Sequence, residues 1–185
     1  MASTFTATMD IRVALTQMLS DGLQQGALPV EFLSRLRMAT GTSDGQINKG
    51  WYKKYTGIGS SVTTSIDLVG ALTDNSAATI NFDEVVLLAI RNLSSTAANY
   101  LEVGPHATNG FGILTANRGW WKDVSDRSII PADATTTDVG GGGWTIWYSP
   151  AGIPAAAGST DILSIATGGS ASGATFEVLI LGRDN

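Results

Sequence analysis

From about residue 58 onward the chain is a succession of short apolar runs, each closed by Gly, Ser, Thr, Asn or Asp. Runs this short, with a two-residue alternation, bury one face as strands and none as helices. In the span 62–69, Val62, Thr64, Ile66 and Leu68 share one parity, with Asp67 on the other. Residues 85–90 are apolar at every position, the pattern of a central strand covered on both faces. Further strand-like segments fall at 79–82, 100–103, 111–114, 124–130, 144–148, 161–166 and 175–181, and Phe176, Val178 and Ile180 form one row in the last. No gap between them holds a helical pattern long enough for a parallel crossover. The expectation is an all-β domain over 58–185, an antiparallel β-sandwich with a jelly-roll preferred.

The first 57 residues read differently. Ile11, Leu15, Met18, Leu19 and Leu23 fall at helical spacing, and Asp10 sits where a helix dipole favours negative charge. Gly22 and Gly26 break the run, and Pro29 is suited to opening a second short helix along which Val30, Leu33 and Leu36 share a side. Turn residues 41–45 end it. The reading is an N-terminal arm with one or two short helices. Helices of this length are marginal alone, so they must pack on the sandwich or on another chain. Ile11, Leu15, Met18, Leu19, Leu33 and Leu36 are the candidate docking residues.

Composition narrows the role. Only 15% of the residues are charged, against about 25% in an ordinary soluble domain. A surface so poor in charge points to coverage by further copies of the chain; a weakly charged monomer is the alternative. The net charge of −5 repels phosphate backbones, so a nucleic-acid partner is not expected. The one basic-aromatic stretch, Trp51-Tyr52-Lys53-Lys54-Tyr55, reads better as an edge strand guarded by lysines. Zero cysteines removes disulfides, thiolate metal sites and cysteine nucleophiles. The first residues lack the basic-then-apolar pattern of a secretory signal and no apolar run reaches membrane-spanning length, so a protein made in the cytoplasm, with no membrane partner, is expected.

Catalytic chemistry finds little purchase. His106, the single histidine, lies in a turn-like stretch with no serine nucleophile elbow anywhere in the chain. The acid pairs Asp83-Glu84, Asp123/Asp126 and Asp133/Asp138 also lie in turn-like stretches; a polysaccharide hydrolase would need two of them across one cleft. The glycines at 41–50 and 140–143 do not follow a phosphate-loop order. No catalytic residue, cofactor or metal is expected. The aromatic residues are the less ordinary feature. Trp120 and Trp121 are adjacent, and Trp144 and Trp147 differ in parity. On strands each pair would split between core and surface, leaving an exposed indole for an interface or a sugar ring.

Five stretches carry a resemblance: Thr6-Ala7-Thr8-Met9-Asp10-Ile11-Arg12, Gly41-Thr42-Ser43-Asp44-Gly45-Gln46-Ile47-Asn48-Lys49, Ile66-Asp67-Leu68-Val69-Gly70-Ala71-Leu72-Thr73-Asp74, residues 82–92, and Phe176-Glu177-Val178-Leu179-Ile180-Leu181-Gly182. Their order is similar to that of a family of small tailed-bacteriophage virion proteins; the stretch 120–137 departs from it in lacking a Pro-Gly-Gly turn. The resemblance implies a homotrimeric β-sandwich component of the particle, located on the capsid surface as a cement or decoration protein, or in the tail. Its partners would be its own copies and the major capsid protein or another virion protein. The alternative is a tail or spike component that binds a host-surface glycan through Trp120, Trp121, Trp144 or Trp147.

Overall fold

The computed structural model describes residues 7–20, 25–73, 77–96, 98–114, 118–132, 143–168 and 173–184, with 11–34 as backbone path only. Thirteen strands are formed among these residues, and no helix. In chain order they are β1 (Ala7–Ser20), β2 (Gln25–Thr40), β3 (Gln46–Ile47), β4 (Lys49–Ile58), β5 (Thr63–Asp67), β6 (Val69–Thr73) and β7 (Thr79–Asn81). There follow β8 (Glu84–Asn92), β9 (Leu101–Pro105), β10 (Ser128–Ile130), β11 (Trp144–Pro154), β12 (Ile162–Thr167) and β13 (Ala174–Arg183).

The expected N-terminal helices are not present. Their residues form a long antiparallel hairpin of β1 and β2. The physical reason is a second periodicity in the same residues. Ala7, Met9, Ile11, Val13, Leu15 and Leu19 occupy alternate positions of β1, as do Leu28, Val30, Phe32, Leu36 and Met38 of β2. The hairpin register sets these series opposite each other, through pairs such as Ala7–Met38, Met9–Leu36, Val13–Phe32 and Leu15–Val30. The polar series pairs likewise, Thr8 with Arg37 and Asp10 with Arg35. Two-residue alternation in both strands outweighs the sparser helical spacing, because a slip of one residue would mix the two sets. Pro29 is tolerated, since among the described residues β2 has a second neighbour only at Ala39 and Thr40, which pair with β3. The turn with Gly22 and Leu23 lies outside the described residues, as do residues 1–6.

Beyond the hairpin, two four-stranded antiparallel sheets have the orders β11-β8-β13-β4 and β10-β9-β12-β5. A small β6-β7 ribbon is paired with neither sheet, but its Leu72 and Ile80 join the central core. The pairings nest: β9 with β10 is innermost in sequence, then β8 with β11, β5 with β12, and β4 with β13 outermost. Because β4 pairs with β13 along most of its length, the sheets begin at Lys49 rather than at residue 58. β4 is also an edge strand, as Lys53 and Lys54 led one to expect.

The facing sides of the sheets share one core. Leu88, Ile90, Phe176, Val178 and Ile180 of one sheet meet Ile66, Leu101, Val103, Leu163 and Ile165 of the other. The strictly alternating burial along most of β13 matches the row read from its sequence. Strand β8 is covered on both faces, and a bulge contributes. Between the pairs Leu87–Leu181 and Val85–Gly182 it carries one extra residue, Val86. Val85 consequently joins the central core, whereas Val86 and Leu87 join a second cluster on the outside of the sheet with Met38 and Ile47. Ala7, Met9 and Leu36 pack against that outer cluster, so the base of the hairpin caps the sandwich.

Candidate functional site

The two tryptophan pairs take different positions. Trp120 and Trp121 are not on a strand; they lie in an irregular loop where both backbone N–H groups donate to the carbonyl of Gly112, at 2.8 and 3.0 Å. Gly112 has φ +82°, and a Cβ there would stand 2.6 Å from the Trp121 ring. The expected split between core and surface therefore fails for this pair. Both join Phe111 and Trp147 in one aromatic cluster, with ring centroids 5.5–6.3 Å apart. On β11 the split holds: Trp147 packs against the core, and Trp144 is 62% exposed.

Trp144 belongs to a continuous surface. The register places Lys54, Glu177, Arg91 and Trp144 in one row across the outer side of β4, β13, β8 and β11. Tyr52, Leu179, Ala89 and Ile146 form the next row. Between them lies a shallow groove of about 200 Å³ lined by Tyr52, Ala89, Arg91, Trp144, Glu177 and Leu179. Tyr52 is 57% exposed and its hydroxyl donates to Glu177 Oε1 at 2.9 Å. That bond, then burial, raises the Tyr52 pKa above its ordinary 10.0. Small Ala89 lies between the aromatic side chains of the two edge strands, so the groove stays open between them. Ala89 and Leu179 also touch the outer cluster under the hairpin. The groove and the seat of the arm are one surface.

Of the candidate docking residues, Leu36 packs on that outer cluster. The side chains of Ile11, Leu15, Met18, Leu19 and Leu33 lie outside what is described, though their backbones are on β1 and β2.

The titratable residues are engaged locally. The His106 ring accepts from Thr108 N–H at 3.1 Å through Nδ1, which also lies 2.7 Å from the Thr108 carbonyl. Asp123 accepts from the Ser125 hydroxyl and from its backbone N–H, and these bonds lower its pKa. Asp126 accepts from Lys122 N–H at 2.7 Å. Asp133 and Asp138 lie outside the described residues. Among the described residues, no three His, Cys, Asp or Glu side chains come together as a metal site, and no helix is long and apolar enough to cross a membrane.

Sequence reasoning missed Arg183. Its side chain is 1% exposed at the end of β13 and forms an ion pair with Glu84. Nη1 donates to the Ser43 carbonyl, and Nη2 to that of Ala151 at 2.7 Å. Gly152, with φ +73°, leaves room for it: a Cβ there would meet Nη2 at 2.7 Å. One guanidinium thus joins the loop after the hairpin to β8, β11 and β13. No local sequence signal marks it, because its partners come from positions 43, 84 and 151.

No family model matches the chain, nor does any curated protein or any solved structure.

Proposed function

We propose that this chain is a non-enzymatic structural component of a phage virion, a trimeric cement or decoration protein on the head. The nested order of strand pairs is read as a jelly roll, in which a ribbon of four antiparallel pairs wraps into two sheets. The observation that carries the reading is the hairpin arm. Among the residues whose side chains are described, Ala7, Met9, Leu36 and Met38 fix its base to the outside of the sandwich, and the two-stranded pairing continues through ten more residues of β1. An isolated two-stranded ribbon is marginal in water. A chain that maintains one is suited to contacts with other chains, and the phage-protein resemblance of the sequence supplies the setting. Repeated over a symmetric shell, even an ordinary interface of about 1,600 Å² gives a cumulative hold.

The test is twofold. Light scattering on the purified chain is expected to give a mass near three times 19.2 kDa. Added to capsids that lack it, the protein is expected to sediment with them and to raise their resistance to heat. A monomer that ignores assembled capsids would end this reading.

A second reading, a tail or spike component that binds a host glycan, draws on the exposed Trp144. Trp120, Trp121 and Trp147 have ring faces engaged with one another, so Trp144→Ala is the informative variant. Unchanged adsorption to cells in that variant removes the glycan reading.

A further inference from the structure

We infer that the hairpin arm of one copy seats in the aromatic groove of the next, so that arm and groove are the two halves of one intersubunit contact. The inference rests on the assembly reading above and specifies its interface. Three observations meet here. First, the groove is the continuation of a surface that already holds a hairpin, since Ala89 and Leu179 border both the groove and the cluster under Met9, Leu36 and Met38. That surface accepts the apolar row of a β-ribbon at one end and lies open at the other.

Second, the arm continues past its seat. Residues 11–20 extend β1 by about 33 Å at the rise of a strand. In strand pairing among the described residues, β1 has β2 as its one neighbour, and β2 adds β3 at its end. The register sets apolar residues opposite each other in the middle of that length, Val13 with Phe32 and Leu15 with Val30, before Gln17 interrupts the row. Third, the exposed aromatics Tyr52, Trp144 and Tyr148 all stand on this one sheet, and three partly exposed rings on one face are the anchors an apolar strand row requires. An arm and a groove on different parts of the same chain make a heterologous contact. Such a contact closes as a ring, in which every arm and every groove is filled; the number of copies in the ring is taken from the assembly reading.

The chain has no cysteine, so one engineered pair reports alone. Leu15→Cys in one preparation and Trp144→Cys in another are mixed and oxidised. A disulfide-linked dimer between the two is expected. With both substitutions in one chain, a product that runs as a cross-linked monomer would mean that the arm covers its own groove, and would overturn the inference. Two further variants test the contact without chemistry. One replaces residues 12–33 by an Asn-Gly turn; the other is Trp144→Glu combined with Tyr52→Glu. Both should keep the near-ultraviolet dichroism of the sandwich. Each should be monomeric alone, and their mixture should form a one-to-one dimer and nothing larger, because one arm and one groove remain. If either variant assembles like the unaltered chain, or the mixture stays monomeric, the inference fails while the assembly reading stands. If the unaltered chain is itself monomeric and ignores capsids, the assembly reading falls instead.

Discussion

At the scale of single residues, the molecule depends on a buried charge. Arg183 is held by Glu84 and by two carbonyls from distant parts of the chain. Arg183→Ala would leave Glu84 with only the half-exposed Arg118, 3.4 Å away, and would free the Ser43 and Ala151 carbonyls. Breaking a buried pair costs about 3–5 kcal/mol, and Arg118 should hold the loss toward the lower end. Urea denaturation should register that loss. Gly152→Ala attacks the same knot, combining a positive φ with a close approach to the guanidinium, and should cost about 1–3 kcal/mol in the same measurement. Two of the four tyrosines carry a pH signature. Tyr52 is raised by its bond to Glu177, then by burial, and Tyr55 by burial alone. A raised pKa marks a stabilised neutral form. The contribution is therefore complete below pH 10.0 and fades as the pH climbs through the elevated values. Ultraviolet titration should show two late phenols, and Tyr52→Phe should abolish one of them. None of this was legible in the sequence beforehand. Arg183 gathers partners from positions 43, 84 and 151, and no local pattern brings those together.

At the scale of elements, legibility tracked how many periodicities a segment satisfied. Strands β5 and β13 fall where the two-residue alternation placed them, β8 where the unbroken apolar run did, and β9 and β12 at short apolar segments bounded by turn residues. The segment 111–114 is not a strand; only isolated bridges at Gly110 and Ile113 occur there. The arm misled because Ile11, Leu15, Met18 and Leu19 fit a helix while Met9, Ile11, Val13 and Leu15 fit a strand. The complementary alternation across the hairpin decides between them, and it is visible only when two segments are compared. The energetics of the arm follow from its exposure. Arg35 Nε lies 2.7 Å from Asp10 Oδ1, with both side chains about half exposed, so solvent screens the pair and Asp10→Ala should leave the urea midpoint essentially unchanged. Met38 is 2% exposed at the base of the arm, and Met38→Ala should cost about 2–5 kcal/mol. That loss should appear as faster protease cleavage within the arm before the sandwich core yields.

At the scale of the whole molecule, the sequence conveyed an all-β character and two covered faces for β8, and the sheets bear both out. It could not convey the strand order, because nested pairing joins segments whose spacing carries no periodic mark. That order has a kinetic consequence. The Tyr52–Glu177 bond between β4 and β13 bridges 125 positions of sequence, and contacts of such separation slow folding toward the millisecond-to-second range. On a ribosome, β4 must wait, its edge unpaired, until β13 has emerged. During that interval the arm and the outer side of β8 are also uncovered, and crowded nascent chains could join through them prematurely. Lys53 and Lys54 on the waiting strand thus protect the chain before it is folded as well as after.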